Sequence, residues 1–159
     1  MIFKEMTIKD LDMVASFYIS YYNENEGGSW TNEKAYRRIR QVLLIEDSYC
    51  LLQYDNKGLV GFLMGYIKEY DDLRSYFLEE IVICKNYQGK GYGSSFMKEL
   101  EDRLVDKDVS LIELISVNDD KHRKFYRNLS FGQSTNLIMM SKFIKWKWIF
   151  NEIYFLFSF

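Results

Sequence analysis

Residues 79–97 read EEIVICKNYQGKGYGSSFM, and this stretch indicates both the fold and the chemistry of the chain. Its first part, up to Cys84, is an apolar run typical of a strand that is buried on both faces. A glycine-rich turn from Gln88 to Gly93 follows, and a helix is predicted from Ser94 onward. Glycine lets the main chain approach a ligand closely, and the first N–H groups of a helix have no partner within the helix. The stretch therefore predicts a site for a phosphate or pyrophosphate at the start of this helix.

The glycine turn does not match the two commonest nucleotide-binding patterns. Its spacing differs from the G-x-x-x-x-G-K-[ST] of a P-loop. It also comes too late in the chain, without a βαβ unit before it, for the first turn of a dinucleotide-binding domain. Taken alone, the turn indicates an anion site without identifying the ligand.

The hydrophobic pattern on both sides of this stretch predicts ten elements in the order β-α-α-β-β-β-α-β-α-β. Such an order is typical of an α/β protein with a mixed sheet and helices on its faces. The predicted elements are strand 1–6, helix 8–22, helix 31–45, strand 48–54, strand 59–67, strand 76–84, helix 94–105, strand 110–117, helix 120–129 and a strand or hairpin at 131–142.

Composition limits the classes of function. The chain has 159 residues, which fits one domain, and its net charge of −2 argues against a protein that grips nucleic acid. The single histidine, His122, disfavours a histidine-based zinc site or a Ser-His-Asp triad, so no metal is expected. Cys50 and Cys84 lie in apolar runs and suit reduced core cysteines. The charged N-terminus lacks a signal peptide pattern, so we expect a soluble cytoplasmic protein with no membrane partner.

The last residues form a separate compositional unit. Residues 143–159 read FIKWKWIFNEIYFLFSF, and their longest uncharged run is too short to span a bilayer. We therefore predict one domain over residues 1–142 and an aromatic C-terminal extension over 143–159. The extension is expected to pack on the domain or at a homodimer interface, with a membrane-surface anchor and a read-through tail as alternatives.

Two motifs together resemble the GNAT superfamily of N-acetyltransferases. Gln88-x-x-Gly91-x-Gly93 after a strand is similar to the acetyl-CoA signature of that family. Downstream, Phe125-Tyr126-x-x-Leu129-Ser130-Phe131 is similar to its F/L-Y-x-x-x-G-F segment, with Ser130 in place of the glycine. The resemblance covers about residues 1–142. It implies a largely antiparallel central sheet with helices on both faces, and acetyl-CoA as the cosubstrate.

The resemblance also implies how the cosubstrate is bound. Main-chain N–H groups of the glycine turn hold the pyrophosphate, with Lys90 as a countercharge, and the exposed main chain of the preceding strand pairs with the pantetheine arm. An asparagine of the family contacts the pantetheine, and here either Asn118 or Asp119 takes that position. The residues so assigned are Ile81, Val82, Ile83, Gln88, Gly89, Lys90, Gly91, Tyr92, Gly93, Ser94, Asn118 and Asp119.

For catalysis, the resemblance makes Tyr126 the general acid that protonates the departing thiolate. Glu79 and Glu80 are candidate general bases for the acceptor ammonium, with solvent as the alternative. Because adjacent strand residues face opposite ways, only one of the two is expected to face the cleft, and we favour Glu80.

The acceptor pocket is expected between the loop after the first helix and the loop before the motif strand. The polar and aromatic residues of these loops are Glu24, Glu26, Trp30, Tyr70, Asp71 and Asp72. Carboxylates beside aromatic rings suit a cationic amine, whereas Arg37, Arg38 and Arg40 argue weakly the other way. We therefore favour an acetyltransferase for a small cationic amine. The alternatives are a protein lysine or N-terminal acetyltransferase and a non-catalytic acyl-CoA-binding module.

Overall fold

The computed structural model describes residues 1–144 and shows a mixed α/β fold around one five-stranded sheet. The predicted fold class is therefore confirmed. From residue 145 onward, the predicted extension lies outside the described residues. The elements are β1 (Ile2–Glu5), α1 (Leu11–Asn25), α2 (Asn32–Leu43), β2 (Leu51–Asp55), β3 (Gly58–Glu69), β4 (Arg74–Ile83), α3 (Tyr92–Val105), β5 (Leu111–Leu114) and α4 (Asp120–Arg127).

The sheet has the strand order β1-β2-β3-β4-β5, and only the β4–β5 pair is parallel. A tight turn joins β2 to β3: the N–H of Lys57 donates to the Asp55 carboxylate at 2.8 Å, and Gly58 adopts a positive φ of 133°. This is the hairpin that the Asp-Asn-Lys-Gly sequence predicts. The antiparallel meander leaves β4 near one side of the sheet, with β5 as the edge strand beyond it.

Helices cover both faces of the sheet. α1 and α2 pack on one face, where Val14, Ile39 and Phe62 are fully buried. α3 packs on the opposite face through Phe96 and Leu100, which are also fully buried. Each face thus has its own apolar core, and β4 contributes side chains to both.

A bulge in β4 reverses the alternation of its side chains. Met64 of β3 pairs with Glu80, but its neighbour Gly65 pairs with Leu78, so Glu79 is an extra residue on β4. Leu78 packs in the α3 core and Val82 in the α1–α2 core, although an unbroken strand would place both on one face.

The bulge brings both acidic residues to the α1–α2 face. Nη2 of Arg38 lies 2.8 Å from Oε2 of Glu79 and 3.9 Å from Oε2 of Glu80. The expectation that only one of the two carboxylates faces this side is therefore wrong, because it assumed regular alternation through the whole strand.

The strand or hairpin predicted at 131–142 is also wrong. These residues have no regular secondary structure, and the apolar run 137–140 is exposed. The preceding Gly-Gln-Ser-Thr-Asn sequence, 132–136, has low β propensity, and β5 offers only four residues as a pairing edge. An apolar run alone does not make a strand when no neighbouring edge pairs with it.

Candidate active site

The candidate site begins where β4 separates from β5. The two strands pair from Ser75 and Leu111 to Leu78 and Leu114, and no pairing follows beyond that point. On the other side, the N–H of Cys84 donates to the carbonyl of Val60 on β3 at 2.8 Å. Main-chain N–H and C=O groups point alternately to the two sides of a strand. Those of Val82 therefore point to β3, and those of Ile81 and Ile83 point to the side where β5 no longer pairs with β4. The edge therefore offers hydrogen bonds to an extended ligand.

The glycine turn lies at the end of the same strand. Gly89 and Gly91 adopt left-handed conformations with φ of 71° and 85°, which side chains rarely tolerate. Gly91 is the N-cap of α3, and the N–H of Ser95 donates to its carbonyl at 2.9 Å. The N–H groups of Tyr92, Gly93 and Ser94 therefore precede the first helical hydrogen bond.

The space above this turn suits a phosphate group. No atom lies within 4 Å of the position that a Cβ would occupy on Gly89 or Gly91. The Lys90 ammonium lies at the turn, where it donates to the carbonyl of Asn86 at 2.8 Å. Unpaired N–H groups, the positive end of α3 and one cation make this turn an anion site.

Two residues of the glycine motif hold the turn together. The side-chain amide of Gln88 donates to the carbonyl of Ile83 and to the hydroxyl of Tyr21, each at 3.0 Å. Gly93 lets α4 approach α3 closely, because a Cβ there would lie 3.2 Å from the ring of Phe125. Gln88 and Gly93 therefore shape the site through contacts with other residues of the chain.

Asp119 and Asn118 have different environments. Asp119 is the N-cap of α4, where its carboxylate accepts from the N–H of His122 at 2.7 Å and lies 2.8 Å from Nδ1 of the same residue. The hydrogen bond from this N–H lowers the pKa of Asp119. Asn118 is exposed, and its side chain makes no hydrogen bond to another residue within the part of the chain that the structure describes. Asn118 is thus the residue with a free amide.

Tyr126 lies on α4 among aromatic rings. Its ring centre is 5.0 Å from that of Phe125 and 5.5 Å from that of Phe131. Burial raises the pKa of the phenol to about 12, so the phenol keeps its proton throughout the neutral range. Ser130, which replaces the glycine of the motif, adopts the left-handed φ of 65° that a glycine would favour at a helix end.

Glu80 is the most enclosed acid of the site, with a side chain that is 12% exposed. The hydroxyl of Tyr22 donates a short hydrogen bond to its Oε1. Burial raises the pKa of Glu80, whereas the hydrogen bond from Tyr22 and the charge of Arg38 oppose that rise. The carboxylate is therefore held in place by α1 and α2 together.

Aromatic rings of α1 and of the following loop lie beside this acid. The ring centre of Tyr18 is 4.5 Å from that of Tyr22 and 4.8 Å from that of Trp30. Trp30 is fixed by Asn23, whose side chain accepts from its N–H at 2.8 Å and donates to its carbonyl at 3.0 Å. Glu26 accepts from the hydroxyl of Tyr21 at 3.1 Å, so it belongs to the same group.

The remaining acids of the predicted acceptor pocket do not join this group. Glu24 is exposed, whereas Glu80 is enclosed by α1 and α2. Asp71 and Asp72 lie in the turn before Arg74, and the strand from Arg74 to Glu80 spans about 20 Å. The turn between β3 and β4 therefore lies away from Glu80, and the acceptor role of Asp71 and Asp72 stays a prediction.

Sequence reasoning missed Tyr18, Tyr22 and Arg38. The signal was present on α2, since Arg38 lies three residues after the buried Ala35 and one residue before the buried Ile39. Residues three or four positions apart lie on the same side of a helix, so Arg38 lies on the side of α2 that carries the buried residues Ala35 and Val42. Arg37, by contrast, is 69% exposed and pairs with Glu33 on the same helix.

Among residues 1–144, no group of three or more histidine, cysteine, aspartate or glutamate side chains has the arrangement of a metal site. None of the helices in this range has both the length and the apolar character needed to span a bilayer.

Comparison with known proteins connects this site to an enzyme family. The model of the acetyltransferase (GNAT) family matches residues 12–131, which include the bulge, the glycine turn and Tyr126. No curated protein sequence matches the chain.

Several solved structures have a similar fold. A possible acetyltransferase from Clostridium difficile 630 is 17% identical, with a TM-score of 0.75, and the match covers 91% of this chain and 98% of that one. A ribosomal-protein-alanine N-acetyltransferase from Brucella melitensis biovar Abortus 2308 is 17% identical with a TM-score of 0.72, covering 90% and 100%. An aminoglycoside acetyltransferase from an uncultured soil metagenomic sample, solved with sisomicin, is 14% identical with a TM-score of 0.70, covering 91% and 96%. At these identities the likeness establishes the fold alone.

Proposed function

Because the chain belongs to the acetyltransferase (GNAT) family, we propose that it transfers the acetyl group of acetyl-CoA to a primary amine of a small cationic molecule. The observation that carries the proposal is the β4 bulge, which directs Glu79 and Glu80 to the α1–α2 face just before the glycine turn. A buried carboxylate, an open strand edge and an anion site thus follow one another along a single strand.

The residues around the opened edge fit acetyl-CoA. The N–H groups of the glycine turn and the Lys90 ammonium suit its pyrophosphate, and the main chain of Ile81 and Ile83 suits its amide-bearing arm. Asn118 is favoured over Asp119 for the polar contact to that arm, because Asp119 is already engaged as a helix cap. When bound, acetyl-CoA supplies a thioester that an amine can attack.

Glu80 and Tyr126 would move the protons. Glu80 accepts one proton from the acceptor ammonium, which frees the nitrogen lone pair for attack on the thioester carbon. As the C–N bond forms and the C–S bond breaks, Tyr126 donates its phenolic proton to the sulfur. The nitrogen loses a second proton on becoming an amide, and that proton restores Tyr126 through solvent. The balance is one acetylated amine, one thiol and one proton released from Glu80.

The group around Glu80 favours a cationic acceptor. Glu26, Glu79 and Glu80 carry three negative charges, against the single positive charge of Arg38. The rings of Tyr22 and Trp30 add faces that attract ammonium groups. A cation gains both from the charge and from the rings, whereas an acidic acceptor would be repelled.

The donor site is tested by thermal unfolding with acetyl-CoA. A ligand at about 100 times its dissociation constant should stabilise the protein by about 2.7 kcal/mol. Gly91→Ala should weaken this effect because Gly91 has a left-handed φ within the turn. Gly27→Ala is the matched control: Gly27 has φ of 65° and the same open surroundings, but it lies in the loop after α1. Equal loss in both variants, or no stabilisation of the wild type, would contradict the donor site.

The acceptor class is tested by release of CoA thiol with amines of different kinds. Diamines, polyamines and aminoglycosides are compared with lysine-containing peptides and with peptides that have a free N-terminus. Turnover confined to the peptides would replace the proposed acceptor with a protein. Binding of acetyl-CoA without turnover of any amine, and with Tyr126→Phe behaving as wild type, would favour a non-catalytic acyl-CoA-binding module.

A further inference from the structure

We propose that Arg38 is a positioning residue that keeps the Glu80 carboxylate ionised and oriented, while Glu79 competes with Glu80 for the same guanidinium group. The inference rests on the proposed function, in which Glu80 is the general base. To Glu80 on β4 and Tyr126 on α4 it adds Arg38 on α2, which sets the pH at which Glu80 can act as a base.

The geometry makes Arg38 a shared partner. Its Nη2 lies 2.8 Å from Oε2 of Glu79 and 3.9 Å from Oε2 of Glu80, and its side chain is 32% exposed. The two acids are consecutive in sequence, and they reach one guanidinium only because the bulge directs both to the face covered by α2. Arg38 is thus at hydrogen-bond distance from Glu79 and near the limit of ion-pair distance from Glu80, so the two carboxylates share one positive charge.

The other groups that face Glu80 cannot replace this charge. From α1, Tyr22 donates a hydrogen bond to Glu80, and the ring of Tyr18 lies against that of Tyr22. Both phenols are neutral, and burial raises the pKa of each. On β4, Glu79 is a like charge, and the β3 residue paired with Glu80 is the apolar Met64. Within residues 1–144, Arg38 is the one cation at ion-pair distance from Glu80.

The alternative is that Arg38 and Glu79 form a bridge between α2 and β4 that serves stability only. The two roles predict different changes in the titration of Glu80 when Arg38 or Glu79 is replaced. If the bridge serves stability only, removing either partner should lower stability and leave the titration of Glu80 unchanged. If Arg38 sets the ionisation of Glu80, removing Arg38 and removing Glu79 should have opposite effects on that titration, because one is an opposite charge and the other a like charge.

The test follows the Glu80 carboxyl group by carbon NMR in protein labelled with ¹³C at the glutamate side-chain carboxyl, with Glu80→Gln used to assign the signal. In Arg38→Gln the midpoint of the titration should move to higher pH by about one pH unit or more, as expected for loss of an opposite charge within about 4–6 Å. In Glu79→Gln it should move to lower pH, because Arg38 is then free to approach Glu80. Arg38→Lys should restore most of the wild-type midpoint, since it keeps the charge.

Midpoints that move in the same direction in Arg38→Gln and Glu79→Gln, or that do not move, would overturn the proposal. If Arg38→Gln does not fold, the downward shift in Glu79→Gln and the near-wild-type midpoint in Arg38→Lys still decide the question. The titration needs neither acetyl-CoA nor an acceptor. It is therefore separate from the proposed function, which fails if no amine is acetylated, and from the assignment of Glu80 as the base, which fails if Glu80→Gln keeps full turnover.

Discussion

At the scale of single residues, the site depends on one acid that the fold makes costly to keep charged. Glu80 is nearly buried, and its burial is the largest influence on its pKa, which is raised. An acid whose pKa is raised in the folded state binds its proton more tightly there than in the unfolded chain. Its contribution to stability is therefore fully present below the unfolded pKa and is lost as pH rises through the folded pKa. Activity and stability thus make opposite demands on this residue.

Glu80→Gln should separate the two demands. Loss of the base should lower turnover by about 10²–10⁴-fold. Because the raised pKa makes the folded protein lose stability as Glu80 ionises, the melting temperature of the variant should exceed that of wild type at pH 8, and the gain should vanish near pH 4, below the ordinary glutamate pKa. Thermal unfolding at both pH values measures this, with Glu33→Gln as the control because Glu33 is 80% exposed. A melting temperature that falls at pH 8 and not near pH 4 would show instead that the charged carboxylate stabilises the fold.

At the scale of elements, the order of helices and strands could be predicted from the sequence, because hydrophobic periodicity and turn residues determine it. The first nine of the ten predicted elements are present in residues 1–144, in the predicted order. The tenth element, at 131–142, is absent. Its apolar residues predict a strand, but the sequence does not tell whether the edge of the sheet pairs with them. Sequence alone also missed the bulge at Glu79, since a bulge is a property of the register between β3 and β4. The spacing of Arg38 on α2 indicates that it faces the sheet, but its contact with both acids depends on the bulge. That contact and the hydrogen bond between Tyr22 and Glu80 could therefore not be predicted.

The close contact between α3 and α4 explains why position 93 has no side chain, while its N–H group remains part of the anion site. Gly93→Val should place a side chain against Phe125, whose ring lies 3.2 Å from the position of a Cβ. Overpacking of this kind costs about 1–3 kcal/mol, and displacement of α4 should lower turnover through Tyr126. The expected result is a lower melting temperature and a lower kcat with a smaller change in acetyl-CoA affinity.

Gly132→Val provides the comparison for this variant, because no atom lies within 4 Å of a Cβ at that position. Denaturant unfolding and acetyl-CoA titration of both variants measure the difference. A large loss of acetyl-CoA affinity in Gly93→Val, with stability unchanged, would instead place Gly93 in direct contact with the ligand.

At the scale of the whole molecule, several apolar side chains outside the two cores face solvent. Ile138 and Met140 are 83% and 84% exposed, and Leu111 on the edge strand β5 is 42% exposed. Exposed apolar runs of this kind are typical of surfaces that associate with other molecules. They agree with the expectation of a homodimer, which stays a prediction.

The double variant Ile138→Ser/Met140→Ser tests this surface. Because both side chains are exposed, the free energy of unfolding should change by less than about 0.5 kcal/mol. The molar mass measured by light scattering during gel filtration should decrease toward that of one chain if the wild type self-associates. Val42→Ser is the control. Because Val42 is buried in α2, this variant should lower the free energy of unfolding without a specific effect on the oligomeric mass. An unchanged oligomeric mass in the double variant would remove this surface from the interface.

The bulge in β4 has a consequence for how this gene can vary. Position 79 is the extra residue of the bulge, so the residues on both sides of it alternate regularly between the two cores when it is left out. A substitution there changes one contact with Arg38. A single-codon deletion of position 79 would therefore keep both cores and remove one of the two carboxylates that face Arg38. We therefore expect a variant without position 79 to fold, with its turnover altered through the loss of that carboxylate.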